Sequence, residues 1–197
     1  MARQSNRSMP SPLDHSTRWL TRVAVLTGFG MVLFLFESFV PRPLPWIKPG
    51  LANIATMIAL YSLGSAAAWT VALMRCVLAS LIGGTMMNPS FWLSLCGGAA
   101  SVLTMAIVRR WGRRIFSVIG VGLFGALAHL LAQLGAAGAL IVGNATILIL
   151  LPSMLLSSAL TGLIVGYASH LILARIAPQP KTPRQVHVDW RAGDKSP

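Results

Sequence analysis

From residue 51 to residue 85 the chain carries a single charged side chain, Arg75. Water cannot sort so apolar a run into an inner and an outer face, so the medium this segment is built for is lipid. The whole chain follows suit: of 197 residues, 55% are hydrophobic and 10% charged, where a soluble domain would carry about a quarter charged. A span needs about 20 apolar residues to cross a hydrocarbon layer ~30 Å thick. Residues 19–40, 91–108, 115–139 and 147–174 each supply one, and 51–85 is too long for one crossing, with Gly64-Ser65 as the natural break. The expected fold is therefore an all-α integral membrane protein, a six-transmembrane-helix bundle.

The weak member of that set is 51–64, which is short for a crossing and could instead be a re-entrant helix. The cations decide between the two. With six spans, thirteen Lys and Arg fall on the side of both termini, only Arg42 and Lys48 on the other, and Arg75 inside the membrane. Five spans would put the RRWGRR motif at 109–114 on the opposite side, against the positive-inside bias. Six spans satisfy it, with both termini cytoplasmic in a bacterial inner membrane. Residues 1–18 and 177–197 are polar and basic and read as disordered tails flanking a membrane domain at 19–176. The net charge of +12 does not indicate nucleic acid, because the cations cluster at span ends without interleaved aromatics.

Polar residues inside a membrane are costly, so each of the few present bears on function. A cation at the depth of Arg75 costs at least ~2.5 kcal/mol on insertion scales and must face the protein interior. Asp14, Glu37, Asp189 and Asp194 are the only carboxylate side chains, and Glu37 alone lies in the membrane domain. Glu37 near the outer end of span one, Lys48 in the proline-rich stretch ESFVPRPLPWIKPGLAN, Asn53 at the start of span two and Arg75 in span three form one candidate group. Two readings remain open: a structural Arg75–Glu37 pair, or a pocket in which these residues orient a small polar or anionic solute. His129 and Gln133, four apart on span five, share a face with Gly125 and suit interhelical hydrogen bonding better than metal. Asn88 before Pro89 fits a helix start.

Small residues recur every fourth position: Ala68, Ala72, Cys76, Ser80 and Gly84 on span three, Ser158, Gly162 and Gly166 on span six, Ala24 and Gly28 on span one. Such ridges let helix backbones approach in lipid; one turned outward marks a docking surface. The chain lacks GxxxxGK[ST], a paired-aspartate magnesium site, HExxH and GxSxG. It is read as no enzyme, and no cofactor is expected.

Glu37, Pro41, Pro43, Lys48, Gly50-Leu51-Ala52-Asn53, Leu60, Arg75, Gly83-Gly84, Phe91, Ser94 and Gly97-Gly98 together resemble the Gx transporter family, also named heptaprenyl diphosphate synthase component I. The resemblance spans roughly residues 20 to 175. Trp46 and Pro49 depart from the family's P-G-x-K-L-G-L-A-N pattern. The family is similar to the S-components of energy-coupling factor importers, six-helix proteins that capture a vitamin-like solute. That likeness implies an S-component-like bundle, with a transmembrane coupling subunit and separate ATPases as partners. It also implies docking through small residues on the first helix, where Ala24 and Gly28 match. The family's other name implies an alternative, a non-catalytic accessory subunit for polyprenyl diphosphate or quinone synthesis. Reporter fusions placed after residue 114 and at the C-terminus should both report a cytoplasmic location; opposite locations would refute the six-span arrangement.

Overall fold

The computed structural model describes residues 12–39, 50–84, 86–112, 114–139 and 151–176. Six helices follow one another: α1 (Pro12–Phe39), α2 (Asn53–Leu63), α3 (Ser65–Ile82), α4 (Pro89–Trp111), α5 (Val118–Ala137) and α6 (Leu151–Ile176). All but α2 are long and apolar enough to cross a membrane. The helix count matches the six expected segments. α1 starts at Pro12, a residue suited to the first helical position, so helix continues into the polar stretch expected to be a tail. α4 opens at Pro89, directly after Asn88. Residues 177–197 lie outside the described residues.

Gly64 divides the long apolar run where the sequence places the break. Its φ of 100° and ψ of −178° belong to a region open essentially to glycine alone, and one residue suffices to reverse the chain. α2 and α3 thus form an antiparallel hairpin, and Asn53 and Arg75, each eleven residues from Gly64, come level with one another. With 11 residues, α2 is about 16 Å long, half a crossing. Every residue from Ile54 to Leu60 is buried, as expected of a helix apolar on all sides. α1, α3 and α6 enclose it, and Met57 and Leu60 join Val71, Val102, Met105 and Val121 in the core. The outer surface is apolar as well: Leu156, Leu160, Ile164 and Leu171 of α6 and Val25, Val32 and Phe36 of α1 are exposed, an arrangement suited to acyl chains and not to water.

α5 and α6 meet backbone to backbone. A Cβ on Gly166 would lie 2.7 Å from the Ile119 Cα, one on Gly122 2.8 Å from the Gly166 Cα, and one on Gly162 2.8 Å from the Ala126 Cβ. Numbers rise along α5 as they fall along α6, so the helices are antiparallel. Ser158 completes the seam by donating its hydroxyl to the Ala126 carbonyl at 2.9 Å. The ridge read from span six therefore faces α5 along its whole length. On α3, Ala68, Ala72, Cys76 and Ser80 are buried while Gly84 is exposed. On α1, Ala24 and Gly28 are exposed, and a Cβ on Gly28 would meet nothing within 4 Å.

These contacts predict an asymmetry. Gly166→Leu should destabilise the protein by about 3 kcal/mol, the upper end of overpacking costs, because the obstacle is backbone. Gly28→Leu should leave the detergent-solubilised melting temperature nearly unchanged. Equal shifts in thermal unfolding would refute the α5–α6 seam.

Candidate functional site around Arg75

Three elements converge on Arg75. α3 starts at Ser65, and Arg75 lies ten residues on, about 15 Å along the helix. Only 7% of its surface is exposed. Its Nη2 donates to the Asn53 Oδ1 at 3.1 Å. α1 closes the third side with Gly30, where a Cβ would lie 3.3 Å from the Arg75 Cδ and 3.2 Å from the Ala55 Cβ. A larger residue at 30 would compete with the arginine stem for space.

The hydrogen bond sits at the start of α2. Gly50, at φ 66°, leads into a turn in which the Asn53 amide donates to the Gly50 carbonyl at 2.9 Å and the Ile54 amide to Leu51 at 3.0 Å. Ala52 occupies the capping position and supplies no side-chain bond, so among the described residues no side chain caps the positive end of the helix dipole. Asn53, a residue well suited to capping, instead spends its oxygen on Arg75. A guanidinium and a helix N-terminus, both positive, thus share one level inside the bundle. Their combined field favours an anionic group.

Of the four residues singled out in sequence, Asn53 and Arg75 are in direct contact. The Glu37 side chain and Lys48 lie outside the described residues. His129 and Gln133 face α4, pressed on Gly97: a Cβ there would lie 2.8 Å from the Gln133 Cγ and 2.9 Å from the His129 Cε1. Gly125 of the same face meets Met105 of α4, as their shared periodicity requires. Gly98 and Cys76 touch across α3 and α4, with a Cβ on Gly98 3.6 Å from the Cys76 Sγ, so His129 and Gln133 lie near the level of Arg75 but beyond α4.

Sequence reasoning passed over three residues. Gly30 continues the buried face of α1 through Val23 and Thr27; this helical spacing was legible, but the Ala24–Gly28 pair drew attention to the opposite face. Thr56, one turn along α2 from Asn53, is 1% exposed, and its hydroxyl has no hydrogen-bond partner among the described residues. Arg109 was assigned wholly to membrane orientation. It instead reaches inward: its Nη1 donates to the Leu60 carbonyl, and its guanidinium lies 4.8 Å from the Tyr61 ring centroid, a cation–π distance. The Gly64 amide, which would serve Leu60 in a continuing α-helix, donates to Ala59 at 3.1 Å, and Arg109 supplies the missing donor.

A family model described as heptaprenyl diphosphate synthase component I matches residues 26–172. The chain belongs to this family. The match includes Gly30, the α2–α3 hairpin with Asn53 and Arg75, Arg109 and the α5–α6 seam, and it begins just past Ala24. The family description names a component of a synthase. No curated protein and no solved structure matches the chain.

A hydrogen bond to a charged group contributes about 2 kcal/mol, so Asn53→Leu should destabilise by about that much. Replacing both members with apolar residues, Asn53→Leu with Arg75→Met, should recover most of that loss. Thermal unfolding of the two singles and the double checks this; additive losses would show that the two side chains act independently.

Proposed function

We propose that this member of the family is the membrane-embedded solute-binding subunit, S-component-like, of an energy-coupling factor type importer. Its cargo is a small vitamin- or precursor-like solute bearing a carboxylate or phosphate group. The observation that carries this reading is the Arg75–Asn53 contact at the N-terminus of a half-length buried helix. A purely structural arginine needs no such positive surroundings, whereas an anion is well served by them. Glu37 and Lys48, next in sequence to these elements, are assigned to the polar end of the solute site. The chain itself performs no catalysis in this reading. Both termini are cytoplasmic, and the membrane is a bacterial plasma membrane.

Energy would come from separate ATPase subunits through a transmembrane coupling subunit. The exposed Ala24–Gly28 face of α1 supports docking of that subunit, since no described residue lies within 4 Å of a Cβ placed on Gly28. The family description favours a second reading, a non-catalytic membrane accessory subunit for polyprenyl diphosphate or quinone synthesis. In that case the protein should co-purify with a prenyltransferase and retain no small solute.

Native mass spectrometry of the protein purified from its own host separates the two. The first reading expects a retained anionic small molecule in the wild type. It further expects Arg75→Ala to weaken retention about 10- to 100-fold, the range of a charge-assisted hydrogen bond. Gly28→Leu should keep the solute but lose the coupling module. Unchanged retention in Arg75→Ala would exclude the site, and a co-purifying prenyltransferase without solute would favour the accessory role.

A further inference from the structure

The turn between α4 and α5 has a form that neither membrane orientation nor the proposed transport role requires. Gly112 anchors it. The Gly112 amide donates to the Val108 carbonyl at 2.7 Å, and the Gly112 carbonyl accepts from Ile115 at 2.9 Å and Phe116 at 2.8 Å. The Phe116 ring folds back over Gly112 so closely that a Cβ there would lie 2.5 Å from it. The same ring meets Phe124 edge to face at 5.1 Å between centroids, and Ser117 caps α5 from the other side. The turn is therefore held at both ends by packing and hydrogen bonds.

What this rigid turn displays is amphipathic. Arg110 and Arg114 are exposed. Trp111, directly after Arg110, is 81% exposed, and Ile115, directly after Arg114, is 79% exposed. Arg109 does not share this role, since its guanidinium is engaged by Leu60 and Tyr61. The sequence has carboxylate side chains only at 14, 37, 189 and 194, so this part of the chain brings no acid of its own to neutralise the two arginines. The turn also lies where the membrane surface must be, at the end of two apolar helices that cross the layer. Gly166 packs on Ile119 at the start of α5, which brings the C-terminal end of α6, with Arg175 in its last turn, to the same face.

We propose that Arg110, Trp111, Arg114 and Ile115 form a binding site for the headgroup of an anionic phospholipid. The two guanidinium groups take the phosphate oxygens. Trp111 settles at the headgroup level, as tryptophan does at membrane interfaces, and Ile115 enters the acyl boundary beside it. Charge complementarity and placement at the membrane surface select this occupant. A soluble anion would make no use of the two exposed apolar side chains.

The test uses the full chain reconstituted in phosphatidylcholine vesicles, with spin-labelled phosphatidylglycerol or phosphatidylcholine as probe. The wild type should immobilise phosphatidylglycerol in preference to phosphatidylcholine. In Arg110→Gln/Arg114→Gln this preference should fall on the order of tenfold, given the contribution of each basic residue at a charged membrane surface. Arg18→Gln/Arg22→Gln, which removes the same charge near another span end, should retain the preference. Absence of preference in the wild type, or an equal fall in both double variants, would overturn the site in favour of diffuse attraction. If the first double variant fails to fold, photoactivatable phosphatidylglycerol on the wild type decides instead. Adducts concentrated at residues 110–116 support the site, and adducts spread over the ends of α1 and α6 overturn it.

Discussion

A guanidinium held in hydrocarbon governs how the centre of this bundle is arranged. Arg75 cannot face lipid without a cost of several kcal/mol, so α3 must turn that side inward and something must meet it there. What meets it is the start of another helix. Because Asn53 is fixed level with Arg75 by the Gly64 reversal, α2 is only half the length of a crossing and is wrapped on every side. The short helix, its burial and the small residue at Gly30 are one solution to one electrostatic demand.

The two ends of α2 are served by arginines in different ways. At its N-terminus Arg75 adds positive charge where the helix already presents it, and the Asn53 carbonyl oxygen accepts from it. At its C-terminus Arg109 meets the negative end of the dipole and an orphaned carbonyl, which is favourable without any third party. The contrast distinguishes the two groups physically. At one end the arginine meets an opposite partial charge, and at the other a like one.

Much of this was legible in the sequence. Apolar runs, their lengths and the distribution of arginines give six helices, and the fourfold spacing of Ser158, Gly162 and Gly166 identifies a contact face that the structure places on α5. Local pattern carries such features because they depend on helical period and on lipid as solvent. The contact between Arg75 and Asn53 was less legible: it follows from counting residues either side of a glycine turn, whereas charge alone points to Glu37, whose side chain lies outside the described residues. Arg109 escaped for a similar reason: a cation at a span end satisfies the orientation rule whether it points outward or in, and sequence does not distinguish these.

The α5–α6 seam has a mechanical consequence. Helices separated by little more than touching peptide planes have no side-chain layer between them to slide or repack, so this pair behaves as a single stiff plank. Any deformation of the bundle should then fall on its other half, where α1, α2 and α3 meet through side chains and the chain reverses at one glycine. Compliance and the buried cation thus lie in the same half of the molecule.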